Sequence, residues 1–310
     1  MSGLGRQVAY STLTAAEVTA RWALTRMPQL RTQVSRWVRR APAERPALTL
    51  GDLERAIGRL AHLEGRHVLV HSAWDALAHL GAKPTEVLAM LQRLVGPRGT
   101  LLAPTHPLPI KKNGQLVYDV ARTPAATGLL SEALRRAPGA VRSPFPLSSV
   151  AALGADAALY GEDFREASGG TPYGRGSPYW LLGEHDGLDL FLGIDFIRAN
   201  TLEHCAFDLL ERENPLPDYY ETLDVTVVRG GVSETWTVKQ QRRELERYLA
   251  TTTFKRLMLD EGLVRDESLP GLPVALLDAR PFLAWHLELA RRTGLPYWGK
   301  AWQLIGRRWT

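Results

Sequence analysis

Two short segments end in residues that can hold a phosphate or an acyl group. His71-Ser72-Ala73-Trp74 follows the apolar run Val68-Leu69-Val70, and Pro104-Thr105-His106-Pro107 follows Thr100-Leu101-Leu102-Ala103. A strand that runs into a turn presents backbone N–H groups and a hydroxyl at the sheet's carboxyl edge, where phosphates and acyl carbonyls bind well. On spacing alone each segment is more often an ordinary strand-to-helix connection. A third place is helical. His204 and Asp208 lie four residues apart in a stretch of helical periodicity, so both fall on one face. A carboxylate beside an imidazole raises its basicity, as a general base requires. On an arbitrary helix the same spacing gives only a weak surface pair.

Other chemistry is not signalled. No His-Glu-x-x-His spacing occurs, and a catalytic metal is not expected. Gly-x-Ser-x-Gly is missing, and Gly174-Arg175-Gly176-Ser177-Pro178 lacks the Lys-Ser/Thr of a phosphate-binding P-loop. The single cysteine, Cys205, excludes an intramolecular disulfide and a cysteine-built zinc site.

The elements that position these residues alternate from residue 47 onward. Helix 50–63 leads to strand 67–71, and a helix from Pro84 to Gly96 leads to strand 100–105. A short helix within 131–139 and a buried strand within 187–195 follow, the latter running into helix 199–213. Segments 222–228 and 234–239 flank Arg229-Gly230-Gly231 and read as a β-hairpin. Helix 242–261, strand 273–278 and helix 280–292 close the series. This order implies a layered α/β sandwich with an antiparallel hairpin insertion.

The charge divides the 310-residue chain in two. Residues 1–46 carry eight Arg against Glu17 and Glu44, a net +6, while the whole chain is +5. The remaining 264 residues therefore sum to −1, a near-neutral body (47–310) behind a basic arm (1–46). Thr14-Ala-Ala-Glu17 has the form of a capping box opening a helix over 14–27. Over 29–40, Leu30, Val34, Trp37 and Val38 share one side, with Arg36, Arg39 and Arg40 opposite. Such a helix either rests on an anionic membrane surface or docks on its own body or a second subunit; its shortness favours docking. Pro42 and Pro46 mark a hinge. No apolar run approaches the roughly 20 residues that span a bilayer, and no signal-peptide core opens the chain, so a cytoplasmic protein is expected. No nucleic-acid partner is expected for the body.

Four segments taken in order carry a resemblance: HVLVHSAWDALAHLGAKPTEVLAMLQRLVGPRGTLLAPT, TPAATGLLSEALRRAPGAVRSPFPLSSVAALGADA, TPYGRGSPYWLL and DLFLGIDFIRANTLEHCAF. Together they resemble the aminoglycoside 3-N-acetyltransferase family over roughly residues 50–290. The resemblance implies a three-layer α/β/α sandwich unlike the GNAT-type acetyltransferase fold, and no Arg/Gln-x-x-Gly-x-Gly/Ala loop occurs. It also implies transfer of acetyl from acetyl-CoA, a co-substrate, to the amine of an amino sugar or aminoglycoside-like acceptor. That chemistry needs a proton acceptor and donors aimed at the carbonyl oxygen.

By the same resemblance, His71, Ser72, Ala73, Trp74, Thr105, Thr127, Ser143 and Ser149 would line the CoA site. Ala73 replaces a hydroxyl residue usual in the family. Two other departures bear on catalysis: Phe145 stands where the family places its catalytic histidine, and Phe207 replaces an acidic residue. If those two positions face each other, the phenylalanines should touch. His204, supported by Asp208 or Glu203, is then the expected base, with His106 in reserve. Alternative readings are a CoA-binding homologue with little turnover, and an acyltransferase of surface-polysaccharide or natural-product assembly.

Overall fold

The computed structural model describes residues 3–26, 47–107, 110–112, 114–216 and 218–297. In chain order its strands are β1 (His67–Ser72), β2 (Thr100–Pro104), β3 (Ile110–Lys112), β4 (Gln115–Asp119), β5 (Val141–Arg142) and β6 (Val150–Gly154). They continue as β7 (Leu188–Leu192), β8 (Tyr220–Arg229), β9 (Val232–Gln241), β10 (Val264–Asp266) and β11 (Val274–Asp278). Seven form one mixed sheet in the order β10-β11-β7-β1-β2-β6-β5. The central strands β7, β1 and β2 run parallel, and the flanking pairs are antiparallel.

Every residue of β2 and β7 is buried, as are His67–His71 of β1, which explains their nearly continuous apolar sequence. Alternation then sends neighbours to opposite faces. Val68, Val70 and Leu101 pack with Leu53, Ile57 and Leu91 from helices Leu50–Leu60 and Pro84–Val95. Leu69, Leu102 and Phe191 pack with Tyr179, Phe254 and Phe282 from helices Pro178–Glu184, Thr251–Asp260 and Ala279–Thr293. Truncating any one of these fully buried leucines to Ala should cost about 2–5 kcal/mol.

The expected hairpin exists and is longer, β8 to β9, with Arg229 paired to Val232 across Gly230-Gly231. Both glycines have positive φ (58° and 85°), the geometry of a two-residue turn that side chains resist. β8 also pairs parallel with β4, so the hairpin belongs to a second, four-stranded sheet, β3-β4-β8-β9.

Three helical expectations change. The stretch 242–261 breaks into a 3-10 turn, Arg243–Tyr248, and helix Thr251–Asp260, because Leu249 bridges to Tyr297 and the Ala250 N–H donates to the Pro296 carbonyl. The stretch 199–213 becomes Phe196–Ala199 and Glu203–Leu210. The first helix runs Gly3–Arg26, so Thr14 lies in its interior and donates to the Tyr10 carbonyl at 2.7 Å. Glu17 instead serves another helix: it accepts from the N–H groups of Thr252 (2.8 Å) and Thr253 (2.7 Å) and from the Thr253 hydroxyl (2.9 Å). Val18 is buried beside Phe207 and Tyr297. Helix Gly3–Arg26 is thus docked on the body. The basic stretch expected over 29–40 and the hinge at Pro42 and Pro46 lie outside the described residues. Among the described residues no helix is long and apolar enough to cross a membrane.

Candidate active site

β1, β2 and β7 are parallel, so their carboxyl ends open at one edge, and β1 lies between the other two. The turn after β1 is clamped there. The Ala73 N–H donates to the Leu192 carbonyl at 3.0 Å, and a Cβ on Gly193 would fall 2.8 Å from the Ala76 Cβ. Only glycine, at φ 72°, lets the two turns approach this closely. His71 is buried with its ring stacked on Phe191, centroids 5.2 Å apart. Asp189, fully buried on β7, brings Oδ1 to 3.2 Å from His71 Nε2, an ion-pair distance without hydrogen-bond alignment. Thr201 Oγ1 approaches the same nitrogen at 3.5 Å. Both partners approach the same nitrogen and hold the His71 ring in place. Burial pushes the Asp189 carboxyl up, and His71 draws it back.

Two cavities open at this edge. The smaller, about 240 Å³, is lined by His71, Ser72, Thr127, Ser131, Arg198 and Thr201 among others. The larger, about 820 Å³, lies toward the second sheet, with Tyr118, Tyr173, Leu223, Val225, Gln240 and Glu246 in its walls. His106, Glu203 and His204 belong to both linings.

Burial governs the charges of these three. It lowers His204 to about 4, and its Nδ1 has no hydrogen-bond partner. It lowers His106 to about 4 as well, helped by the nearby His71, His204 and Arg142, and His106 Nε2 meets the Tyr179 hydroxyl at 3.0 Å. Burial raises Glu203 to about 8, and Oε2 is unpartnered. Near neutral pH this wall therefore presents two uncharged imidazoles and a carboxyl poised to ionise.

Of the expected CoA-site residues, the structure brings His71, Ser72 and Thr127 to the smaller cavity; Ala73 and Trp74 form the turn beside it. Thr105, Ser143 and Ser149 are fully buried behind the rim. The Arg142 guanidinium draws Thr105 and Ser149 inward: its Nε donates to their hydroxyls at 3.1 and 3.2 Å, and its other nitrogens donate to the Thr105 and Thr123 carbonyls at 2.5 Å. The Ser143 hydroxyl accepts from the Val150 N–H. These three residues shape the rim from inside.

Asp208 shares a helix with His204 but does not support it. Its carboxylate accepts from the Tyr173 N–H (2.9 Å) and the Tyr220 hydroxyl (2.6 Å), and no hydrogen bond joins it to His204 among the described residues. The expected Phe145–Phe207 contact is also absent. Phe145 stacks on Phe164, and Phe207 packs with Tyr219 and Tyr297 in a different cluster. The sequence reading missed Asp189, whose signal was an acid inside an otherwise apolar strand, and Tyr173 and Tyr179, whose side chains underlie His204 and His106.

At the strand-end crevice of this mixed α/β body two chambers share one wall. The chain belongs to the aminoglycoside 3-N-acetyltransferase family, whose model matches residues 69–290. Aminoglycoside N(3)-acetyltransferase VII of Streptomyces paromomycinus is 33% identical over 171 residues, 50% of this chain and 58% of that protein. Aminoglycoside N(3)-acetyltransferase VIII of Streptomyces fradiae is 29% identical over 272 residues, 78% of this chain and 91% of that protein. The first of these alignments thus spans less than two thirds of its relative. Among solved structures, an AAC-IIIb binary complex with CoASH aligns at TM-score 0.66 and 25% identity, covering 79% of this chain and 97% of that one. Aminoglycoside acetyltransferase AAC(3)-Xa aligns at TM-score 0.69 and 25% identity, covering 79% and 93%. The fold is the family's own, not the GNAT type.

Proposed function

We propose that this protein is an acetyl-CoA-dependent N-acetyltransferase acting on the amine of an amino sugar or aminoglycoside-like acceptor. One observation carries the reading: two cavities of unequal size share a wall made of His106, Glu203 and His204. The narrow cavity suits the slender pantetheine arm, with His71, Ser72 and Thr127 along it and the Arg198 cation in its lining. The wide cavity suits a sugar, with Ser148, Gln240, Gln241 and the acids Glu203 and Glu246 in its lining. A thioester at the shared wall then meets an amine arriving from the other side. Binding both reactants there removes most of the entropic cost of their encounter. His204, read from the sequence as the reacting imidazole, stands in that wall with His106. The CoASH complex of the AAC-IIIb relative supports a CoA-binding role.

The division into a basic arm (1–46) and a catalytic body (47–310) is part of this proposal, as are a cytoplasmic location and a peripheral membrane or subunit contact through residues 14–40. Determining the structure with CoA bound tests the reading. The sulfur is expected beside Glu203 and His204; a thiol lying elsewhere, or a pantetheine arm outside the Ser72–Thr127 cavity, overturns it.

A further inference from the structure

Resting on the acetyltransferase reading, we infer that Glu203, and not an imidazole, takes the proton from the acceptor nitrogen. Glu203 opens helix Glu203–Leu210, is 8% exposed, and lines both cavities. Its Oε2 is buried without a hydrogen-bond partner. Burying an ionisable group this way is unfavourable unless a polar partner reaches it. Because Glu203 lines both cavities, an amine crossing from the wide one toward a thioester in the narrow one passes beside this residue.

The competing groups in the wall are less suited. His106 Nε2 is engaged by Tyr179, and the His204 ring lies against Tyr173 with centroids 4.9 Å apart. Burial makes both imidazoles weak bases, near 4, and makes the Glu203 carboxylate a stronger one, near 8. Phe145 and Phe207, which stand where the resemblance places a histidine and an acidic residue, are packed in apolar clusters. Charged and titratable groups share both linings with Glu203. His71 and Arg198 look in from the narrow one. Arg21, Arg243 and Glu246 look in from the wide one, where the Tyr173 and Tyr297 hydroxyls also feel its charge.

The step balances without an outside reagent. The neutral amine attacks the thioester carbonyl carbon, forming the C–N bond while the carboxylate takes the N–H proton. Collapse of the tetrahedral intermediate breaks the C–S bond, and its electron pair leaves with sulfur. The Glu203 carboxyl then returns the proton to the thiolate, giving the amide and CoA thiol.

The test compares Glu203→Gln, Glu203→Asp and His204→Gln with an acceptor that the wild-type protein turns over. Glu203→Gln should lower kcat about 100-fold or more, the range of general-base removal, with little change in KM for acetyl-CoA. The rise of kcat/KM with pH near 8 should flatten in that variant, Glu203→Asp should restore part of the rate, and the melting temperature should not fall. If Glu203→Gln keeps the wild-type rate and pH profile, or if His204→Gln alone removes the pH-dependent limb, the assignment is overturned. Absence of turnover in the wild type sinks the acetyltransferase reading itself, which separates the two failures.

Discussion

Phe145 and Phe207 belong to separate apolar clusters. Phe145 stacks on Phe164 at 5.0 Å with planes 16° apart, beside Val225 and Trp236, while Phe207 meets Tyr297 edge-on at 5.0 Å and also contacts Tyr219 and His286. Each ring is at most 1% exposed. The two substitutions are therefore absorbed separately, each by its own packing, and they do not form a paired apolar lock across the site.

Restoring polar residues at these positions should accordingly hurt. Phe145→His and Phe207→Glu each bury a polar group among aromatic neighbours, at a cost of about 2–4 kcal/mol. Thermal melts should show both variants destabilised, with no gain in acetylation rate. A variant that keeps full stability while increasing turnover would contradict this packing account.

The N-terminal helix offers a second prediction. Glu17 fills the role of an N-cap for helix Thr251–Asp260, whose own Ala250 cannot cap it. Burial alone would raise the Glu17 carboxyl, but the Thr252 and Thr253 donors outweigh it and hold it below the usual glutamate range. A depressed folded-state pKa contributes stability above the ordinary carboxyl range and loses it as pH falls through the lower value. Glu17→Gln should thus cost about 1 kcal/mol at pH 7, with the difference from wild type shrinking in acid. Denaturant midpoints from pH 7 to pH 3 measure this. A gap that is absent at pH 7, or independent of pH, contradicts the docking.

How much of this was legible before the structure depends on the kind of contact. β1, β2, β7 and β11 were readable because strands buried on both faces are continuous apolar runs bounded by turn residues. β4 and β6 escaped notice; their short runs become strands by pairing with the distant β8 and β2. His204 was a candidate from its helical spacing, and it lines both cavities. Its partnership with Asp208 could not be judged from i, i+4 spacing, because Tyr173 and Tyr220, from elsewhere in the chain, take both carboxylate oxygens. Thr105, Ser143 and Ser149 were legible as a polar group, but Arg142, which needs oxygens around its buried charge, turns Thr105 and Ser149 inward, and the Val150 N–H engages Ser143.

A third prediction concerns the pH range between the ordinary and the raised carboxyl values. Burial raises Glu203 to about 8 and Asp208 to about 7. A raised folded-state pKa means the stabilising contribution is complete below the ordinary carboxyl range and is lost as pH rises through the folded value. Resistance to unfolding should fall between about pH 5 and pH 8 and level off above that, and Glu203→Gln should flatten part of that decline. Equilibrium urea unfolding across this range decides it: an identical slope in wild type and Glu203→Gln would mean that Glu203 is not the buried acid described above.

Thiol release from acetyl-CoA, followed alongside product mass for a panel of amino sugars and aminoglycosides, bears most directly on the meeting of two ligands at the Glu203–His204 wall. The account predicts CoA thiol appearing in step with an acetylated amine for at least one acceptor. Tight CoA binding with no thiol release beyond the acceptor-free background, whatever amine is supplied, would contradict it.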